Sequence, residues 1–273
     1  MATTARRAES HGQRRLAKPL LFSGPVRLRV LSYNIHRAIG VDRRFRPERV
    51  AQIIEYYNPD VAMLQEVDEG APRSRELDLA RELAQALGFE YYAIGHNVRL
   101  RKGRYGNATL SRWPIKRERN IDLTIGFLRR RGCQHTRIAI KTPSGATRRL
   151  EVFNLHLGLS ARERERQVSL LVRSREFAAL PFGVATLVAG DTNDWRSLLR
   201  PLFVEMLGFR SATGGNDERE RAAATFPSFF PQGSLDRVYY RGPLRLVAAR
   251  QCRLALSRVA SDHLPVIVDF DLP

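Results

Sequence analysis

The sequence predicts an α+β domain built as a four-layer α/β/β/α sandwich, two stacked sheets with helices outside them. Three observations point there. Short apolar stretches with strand periodicity recur through most of the chain. Three or four helical stretches are set among them, joined by short connections. No break in composition divides 26–273, so that span is expected to form a single domain, within the size range of one β-rich unit.

The elements follow in order. In 26–33, Val26, Leu28 and Val30 alternate with Arg27 and Arg29, a strand with one wet face. Pro47 opens a helix where no amide proton is needed. Val50, Ile53, Ile54 and Tyr57 give it an apolar stripe that Asn58-Pro59-Asp60 ends. A short apolar strand, 61–65, runs into Glu66. A second helix is expected over 75–87, with Gly88 at its C-terminal end. Strands follow at 91–94, 107–112, 135–141 and 149–155, and Pro143-Ser144-Gly145-Ala146 reads as the turn between the last two. Ser160 and Glu163 have capping-box spacing for a third helix reaching about 179. Next come a buried strand at 186–189, a helical stretch around 195–206 interrupted or started again at Pro201, and a mobile polar loop at 211–224. Three strands, 236–240, 244–256 with a break, and 264–270, close the chain.

The charge is the outlier. Lysine plus arginine total 46 against 28 acidic residues, a net charge of +18. Such a surface favours polyanions: nucleic acid, anionic headgroups or polyphosphates. Residues 1–25 carry Arg6, Arg7, Arg14, Arg15 and Lys18 and are expected to be a disordered basic tail. No run is long enough to span a bilayer, and the start lacks the apolar core of a secretory signal. Cys133 and Cys252 form no CxxC pattern and read as reduced side chains. A cytoplasmic monomer is therefore expected.

Six segments place a carboxylate, amide or imidazole at a strand end: Tyr33-Asn34-Ile35, Gln65-Glu66-Val67, Asn154-Leu155-His156-Leu157, Gly190-Asp191-Thr192-Asn193, Leu235-Asp236-Arg237 and Ser261-Asp262-His263. Each alone has an ordinary structural explanation, such as an asparagine turn or a helix cap. Together they suggest a sheet whose strand ends share one cleft. The group types suit metal-assisted phosphoester hydrolysis: oxygen ligands for a hard cation, imidazoles for proton work and amides for an oxyanion.

These segments, with Tyr105-Gly106-Asn107-Ala108-Thr109-Leu110-Ser111-Arg112 and Thr225-Phe226-Pro227-Ser228, resemble the endonuclease/exonuclease/phosphatase family of deoxyribonuclease-I-like fold. The resemblance spans about 27–271. It implies two packed mixed sheets with outer helices and Mg²⁺-dependent hydrolysis by in-line attack of water, Mn²⁺ being able to substitute. It also implies roles. Glu66 is the main metal ligand, with Asn34 and Asp262 beside it. Asp191 activates the water, and Asn193 donates to a phosphate oxygen. His263 contacts the scissile phosphate or the nucleophile and is oriented by Asp236. His156 contacts the phosphate, and Arg137 grips it. Thr192 stands where the family more often has a bulky apolar residue.

The shared catalytic set does not choose the substrate; loops do. Arg99, Arg101, Lys102 and Arg104 in 96–106, and Arg129-Arg130-Arg131, are expected to flank the cleft and grip a polyanion backbone. Few aromatics interleave them, so base stacking is not expected. Nucleic acid is the leading substrate. The second reading is a phospholipid or inositol-phosphate hydrolase at an anionic membrane surface, for which Phe226, Phe229 and Phe230 are the candidate lipid contacts. The third is a non-catalytic polyanion-binding module, disfavoured by the filled catalytic set.

Overall fold

A computed structural model describes residues 6–7, 24–214 and 223–273. Its strands are β1 Arg6–Arg7, β2 Val26–Asn34, β3 Val61–Glu69, β4 Tyr91–Arg99, β5 Arg104–Ser111, β6 Ile115–Asp122, β7 Gly132–Lys141, β8 Thr147–His156, β9 Ala185–Asp191, β10 Arg210–Ser211, β11 Asp236–Arg241, β12 Arg245–Gln251 and β13 Val266–Leu272. One sheet has the order β1-β4-β5-β3-β2-β13-β12 and the other β10-β11-β9-β8-β7-β6. Both are mixed: β2 and β3 are parallel, as are β8 and β9, and every other pairing is antiparallel. The longer helices are α1 Pro47–Tyr57, α2 Leu79–Ala86 and α3 Ala161–Arg173, with short α4 Arg175–Ala178 and α5 Ser257–Ala260.

Strand periodicity builds the four layers. Successive side chains point to opposite faces, so the central strands are apolar on both. Val30, Val61, Met63, Val152, Leu187 and Val268 fill the space between the sheets. The alternate residues Leu31, Tyr33, Ala62 and Leu64 meet Val50, Ile53 and Ile54 of α1 and Leu83 of α2. On the far side Phe153, Leu155, Val188 and Tyr239 meet Val168 and Leu171 of α3 and Phe177 of α4. Three buried clusters thus correspond to the three interfaces of an α/β/β/α sandwich.

Strand direction explains where the polar residues gather. Helix α1 connects parallel β2 and β3, and α3 and α4 connect parallel β8 and β9. These four strands deliver their C-terminal ends. Their antiparallel neighbours β13 and β11 run the other way and begin where β2 and β9 end. Residues that follow β2, β8 and β9 therefore meet residues that precede β11 and β13. The β4–β5 hairpin tip and the 123–131 loop before β7 lie at this same end, because β5 and β7 are antiparallel to β3 and β8.

At that end the filling between the sheets turns from aliphatic to amide. Asn154 Nδ2 donates to the carbonyls of Leu64 (3.1 Å) and Ala108 (2.9 Å), and its Oδ1 accepts from Gln65 Nε2 (2.8 Å). Thr109 Oγ1 donates to Gln134 Oε1 at 2.8 Å. These bonds tie one sheet to the other behind the cleft, so Asn154 is structural.

Several elements differ from the sequence expectation. The second helix starts at Leu79, because Asp78 caps it by accepting from Arg81 N, while Arg75 and Glu76 adopt left-handed backbone. The third helix stops at Arg173, where Ser174 caps a new turn by accepting from Phe177 N. Of the stretch expected at 195–206, residues 200–206 are helical and 195–199 are turns and irregular backbone. Edge strand β6 carries Lys116, Arg117, Glu118, Arg119 and Asn120. Edge strands tolerate such charge, and it hid this one. Most of the expected tail at 1–25, and 215–222 of the expected polar loop, lie outside the described residues. Arg6–Arg7 pair with Tyr91 and Tyr92.

Candidate active site

Asp191 ends β9 and is fully buried. Gly190 before it has φ +139°, and a Cβ there would lie 1.9 Å from Leu155 O. Glycine therefore lets β9 close on β8 where Asp191 turns into the cleft. Asp191 Oδ2 accepts from Asn34 Nδ2 at 3.1 Å, and Oδ1 accepts from Asn193 N at 3.0 Å. The same Oδ2 lies 3.4 Å from His156 Nε2 and 3.5 Å from His263 Nε2. Thr192 Oγ1 donates to Leu235 O at 2.7 Å, which seats Asp191 beside the strand that begins with Asp236. The unusual residue at 192 thus has a bond of its own.

The two imidazoles are held in opposite states. Burial drives the proton off His156, well below the usual imidazole range; the charge of Arg131, then those of His263 and Arg129, add to this. Burial also opposes the charge on His263, but Asp236 and Asp191 outweigh it and lift that group to about 10. His263 Nδ1 meets Asp236 Oδ2 at 2.8 Å, both groups being buried. Burial pushes Asp191 up to about 6, Asp236 adding to the rise and His263 working against it. A carboxylate near 6 is a stronger base than an ordinary aspartate.

Glu66 reaches the cleft through a β-bulge. Between Leu64 and Val67, β3 has one more residue than β5 opposite, and Glu66 takes φ +58°. A bulge re-aims a side chain in this way. Asn34 pairs with Gln65 in register, next to Glu66. Ser261 Oγ donates to Asn34 O at 2.7 Å, which brings the 261–263 segment against the end of β2, and Asp262 Oδ1 lies 3.9 Å from His36 Nδ1. His36, Arg37 and Ala38 all have φ between +45° and +61°, a left-handed turn. Asn193 has φ +51°. Such backbone costs on the order of 1 kcal/mol or more per residue. Its concentration beside the cleft marks a segment held in place for its side chains.

The residues present fit a hard cation. Glu66 Oε2 is buried without a hydrogen-bond partner, Arg37 Nε being 3.7 Å away. Glu66, Asn34 and Asp262 offer oxygen donors only, the set such cations take. Donor atoms of Asp191, Asp236 and His263 also lie within 4.8 Å of one another. His263 Nδ1 is already engaged by Asp236 Oδ2 at 2.8 Å, so the same trio also forms a path for a proton and for charge.

A sequence profile described as the Endonuclease/Exonuclease/phosphatase family matches residues 31–263. The chain belongs to the endonuclease/exonuclease/phosphatase family. Its members are metal-dependent phosphoester hydrolases. Among similar proteins, uncharacterized protein YbhP of Escherichia coli (strain K12) is 32% identical over 258 residues, covering 89% of this chain and 96% of its own. A Beutenbergia cavernae endonuclease/exonuclease/phosphatase superposes with TM-score 0.73 at 21% identity, covering 90% of this chain and 72% of that one. A mannosyl-6-phosphatase of Bacteroides thetaiotaomicron gives 0.66 at 18% identity, covering 89% and 99%. The four-layer fold is that of the family.

Of the residues named from sequence, Asn34, Glu66, His156, Asp191, Asn193, Asp236, Asp262 and His263 gather at the one end where the strands converge. Arg137 does not. It sits opposite Glu151 in register, five positions before His156, or roughly 17 Å along the strand. It alternates with Ile138, which faces the other sheet, so it points to the outer face, where Nε donates to Glu151 Oε1 at 2.8 Å. The role the resemblance implied for Arg137 does not fit its place, because β7 runs away from the cleft.

Three residues at the site were given no catalytic role from sequence. Arg131 is buried with Nε unpartnered, and its charge acts on both His156 and Tyr105. Burial and then the Glu66 charge hold the Tyr105 hydroxyl well above the usual tyrosine range. Arg37 faces Glu66 from the left-handed turn. Arg131 was visible as the last of three arginines and Tyr105 as the start of a family stretch. Arg37 gave no sequence signal.

Proposed function

We propose that this protein hydrolyses phosphodiester bonds by direct in-line attack of water, with Mg²⁺ held by Glu66, Asn34 and Asp262 and nucleic acid as the substrate. The observation that carries the reading is Asp191, a buried carboxylate flanked at 3.4 and 3.5 Å by one neutral and one charged imidazole. Asp191 takes the proton of the attacking water and, lifted to about 6, is ionised and basic at neutral pH. His263, kept charged by Asp236, presents Nε2–H to the phosphoryl oxygens as negative charge builds. His156, without its proton, accepts or relays a hydrogen bond on the opposite side of Asp191. Asn193 Nδ2 gives one hydrogen to Leu157 O at 2.9 Å, which orients the amide and leaves the second for a phosphate oxygen. Arg131 takes the phosphate-gripping role expected of Arg137. When bound, the cation supplies Lewis-acid polarisation of the phosphoryl group and neutralises the leaving oxygen.

Removing one such donor typically slows turnover by about 10²–10³. The test is purified protein with Mg²⁺ or Mn²⁺ on supercoiled DNA, RNA, bis-p-nitrophenyl phosphate and lipid vesicles, with Asp191→Asn as control. Turnover abolished in Asp191→Asn supports the mechanism; near-normal turnover overturns it. One observation favours the second reading, hydrolysis of phospholipid or inositol phosphate at an anionic surface. Phe127, Leu128, Phe229 and Phe230 are all exposed, on segments at the cleft end of the sandwich, where they would contact acyl chains. Of the described helices none is long and apolar enough to cross a membrane.

A further inference from the structure

We propose that the protein carries a second anion site beside the hydrolytic centre, which grips a neighbouring phosphate of a nucleic acid strand whose scissile phosphate lies at Asp191. The proposal rests on the hydrolase reading for the scissile phosphate only. Two basic segments, remote in sequence, form one groove of about 550 Å³. Arg99, Arg101 and Arg104 of the β4–β5 hairpin line it together with Arg130 of the loop before β7. His96 and Asn97 also line it.

The charges there are unbalanced. Arg104 pairs with Glu69 at 3.1 Å, and His96 meets the same carboxylate at 2.5 Å. The guanidiniums of Arg99, Arg101 and Arg130 have no ion-pair or hydrogen-bond partner among the described residues. Surface arginines in isolation mean little. Three unpaired guanidiniums converging on one concavity repel one another, and a bound anion relieves that repulsion. Guanidinium geometry also matches phosphate in two-pronged fashion.

Position ties the groove to the centre. Glu69 lies three residues beyond Glu66 on β3, on the order of 10 Å. Arg130 directly precedes Arg131, whose charge acts on His156. The groove and the hydrolytic centre therefore share two walls, yet a single phosphoryl group does not span them. The ligand must carry a second phosphate, as a polynucleotide does at regular intervals. Phe127, wholly exposed in the same loop as Arg130, offers a face on which a base can stack. One exposed aromatic thus stands beside the arginines, where few were expected and base stacking was not.

The test compares wild type with Arg99→Ala/Arg101→Ala/Arg130→Ala, which removes exposed side chains outside the hydrolytic centre. Turnover is measured with Mg²⁺ on bis-p-nitrophenyl phosphate, a single-stranded oligonucleotide and vesicles containing an inositol phospholipid. The expected result is unchanged turnover of the small diester and a KM for the oligonucleotide raised by about tenfold or more. The slope of log affinity against log salt should fall by about 2, or about 0.7 for each phosphate that a deleted guanidinium no longer neutralises. Equal effects on both soluble substrates, or none on either, overturn the proposal. An effect confined to the vesicles assigns the groove to a lipid headgroup and overturns it also. Oligonucleotide binding by fluorescence anisotropy in EDTA gives a second readout. Should wild type fail to turn over the small diester, the hydrolase reading falls, and anisotropy still decides the groove.

Discussion

Replacing Asp236 by asparagine removes one charge and almost no volume, and the structure gives the consequence. His263 Nδ1 sits 2.8 Å from Asp236 Oδ2 and both are buried. The imidazole is lifted from 6.5 to about 10 against the opposing effect of burial, with Asp236 the largest favourable contributor and Asp191 the next. A rise of about 3.5 units corresponds to about 5 kcal/mol between the two protonation states. If Asp236 supplies half or more, Asp236→Asn lowers the titration of His263 by about 2 units or more and costs about 2–3 kcal/mol of stability at neutral pH. The sign follows from linkage. A group whose pKa is higher folded than unfolded contributes stability that is full below about 6.5 and lost as pH climbs through about 10. The variant should therefore melt about 5–10 °C lower at pH 6–7, for a domain of this size, and at the wild-type temperature near pH 10.5.

Two assays check this. NMR of the His263 ring in metal-free protein reads its titration directly. The rate on a small diester as a function of pH reads the same group in turnover, and its alkaline limb should move down by about 2 units. An unmoved His263 titration, or an equal drop in melting temperature at pH 7 and pH 10.5, would refute the ion-pair account and leave Asp236 as a packing residue.

Two further perturbations probe other parts of the structure. Glu66→Gln keeps the side-chain shape at the bulge and removes its charge; calorimetric Mn²⁺ affinity should fall at least about tenfold and turnover by about 10²–10³, whereas affinity within twofold of wild type would exclude Glu66 as a ligand. Asn154→Leu strips three inter-sheet hydrogen bonds and leaves the carbonyls of Leu64 and Ala108 and the Gln65 amide without them; urea unfolding should show destabilisation by about 3–5 kcal/mol, and a change under 1 kcal/mol would refute the amide tie.

Much of the fold was legible because strand and helix periods differ. The stripe of Val50, Ile53, Ile54 and Tyr57 foretold α1 to the residue, with Asn58 left-handed at its end. Ser160 caps α3 as its spacing with Glu163 suggested. What failed was non-local. Nothing within 195–206 reveals that its helix begins only at 200, after turns, and β6 exists because β7 offers it an edge. In the site, residues adjoining apolar strands were found from their chemistry and position. Arg137 was misplaced because side-chain face and strand direction depend on pairing register, which a single sequence does not state. Arg37 was missed because its place beside Glu66 depends on three successive left-handed residues, a backbone path with no residue signature.

The charge distribution separates two demands that the proposed phosphodiester hydrolysis makes. The centre is acidic, with Glu66, Asp191, Asp236 and Asp262 close together inside a chain of net charge +18. Acidic groups bind a cation and a proton but repel the substrate. Arginines set around the centre answer that repulsion: Arg37 beside Glu66, Arg131 acting on His156, and Arg99, Arg101 and Arg130 further out. Groups that touch the reacting phosphate act more strongly in the transition state than in the ground state, so their removal falls on kcat. Outer guanidiniums hold substrate and transition state alike, so their removal falls on KM. Composition alone therefore pointed to a polyanion, whereas the proposed hydrolytic chemistry rests on eight residues whose own balance is acidic.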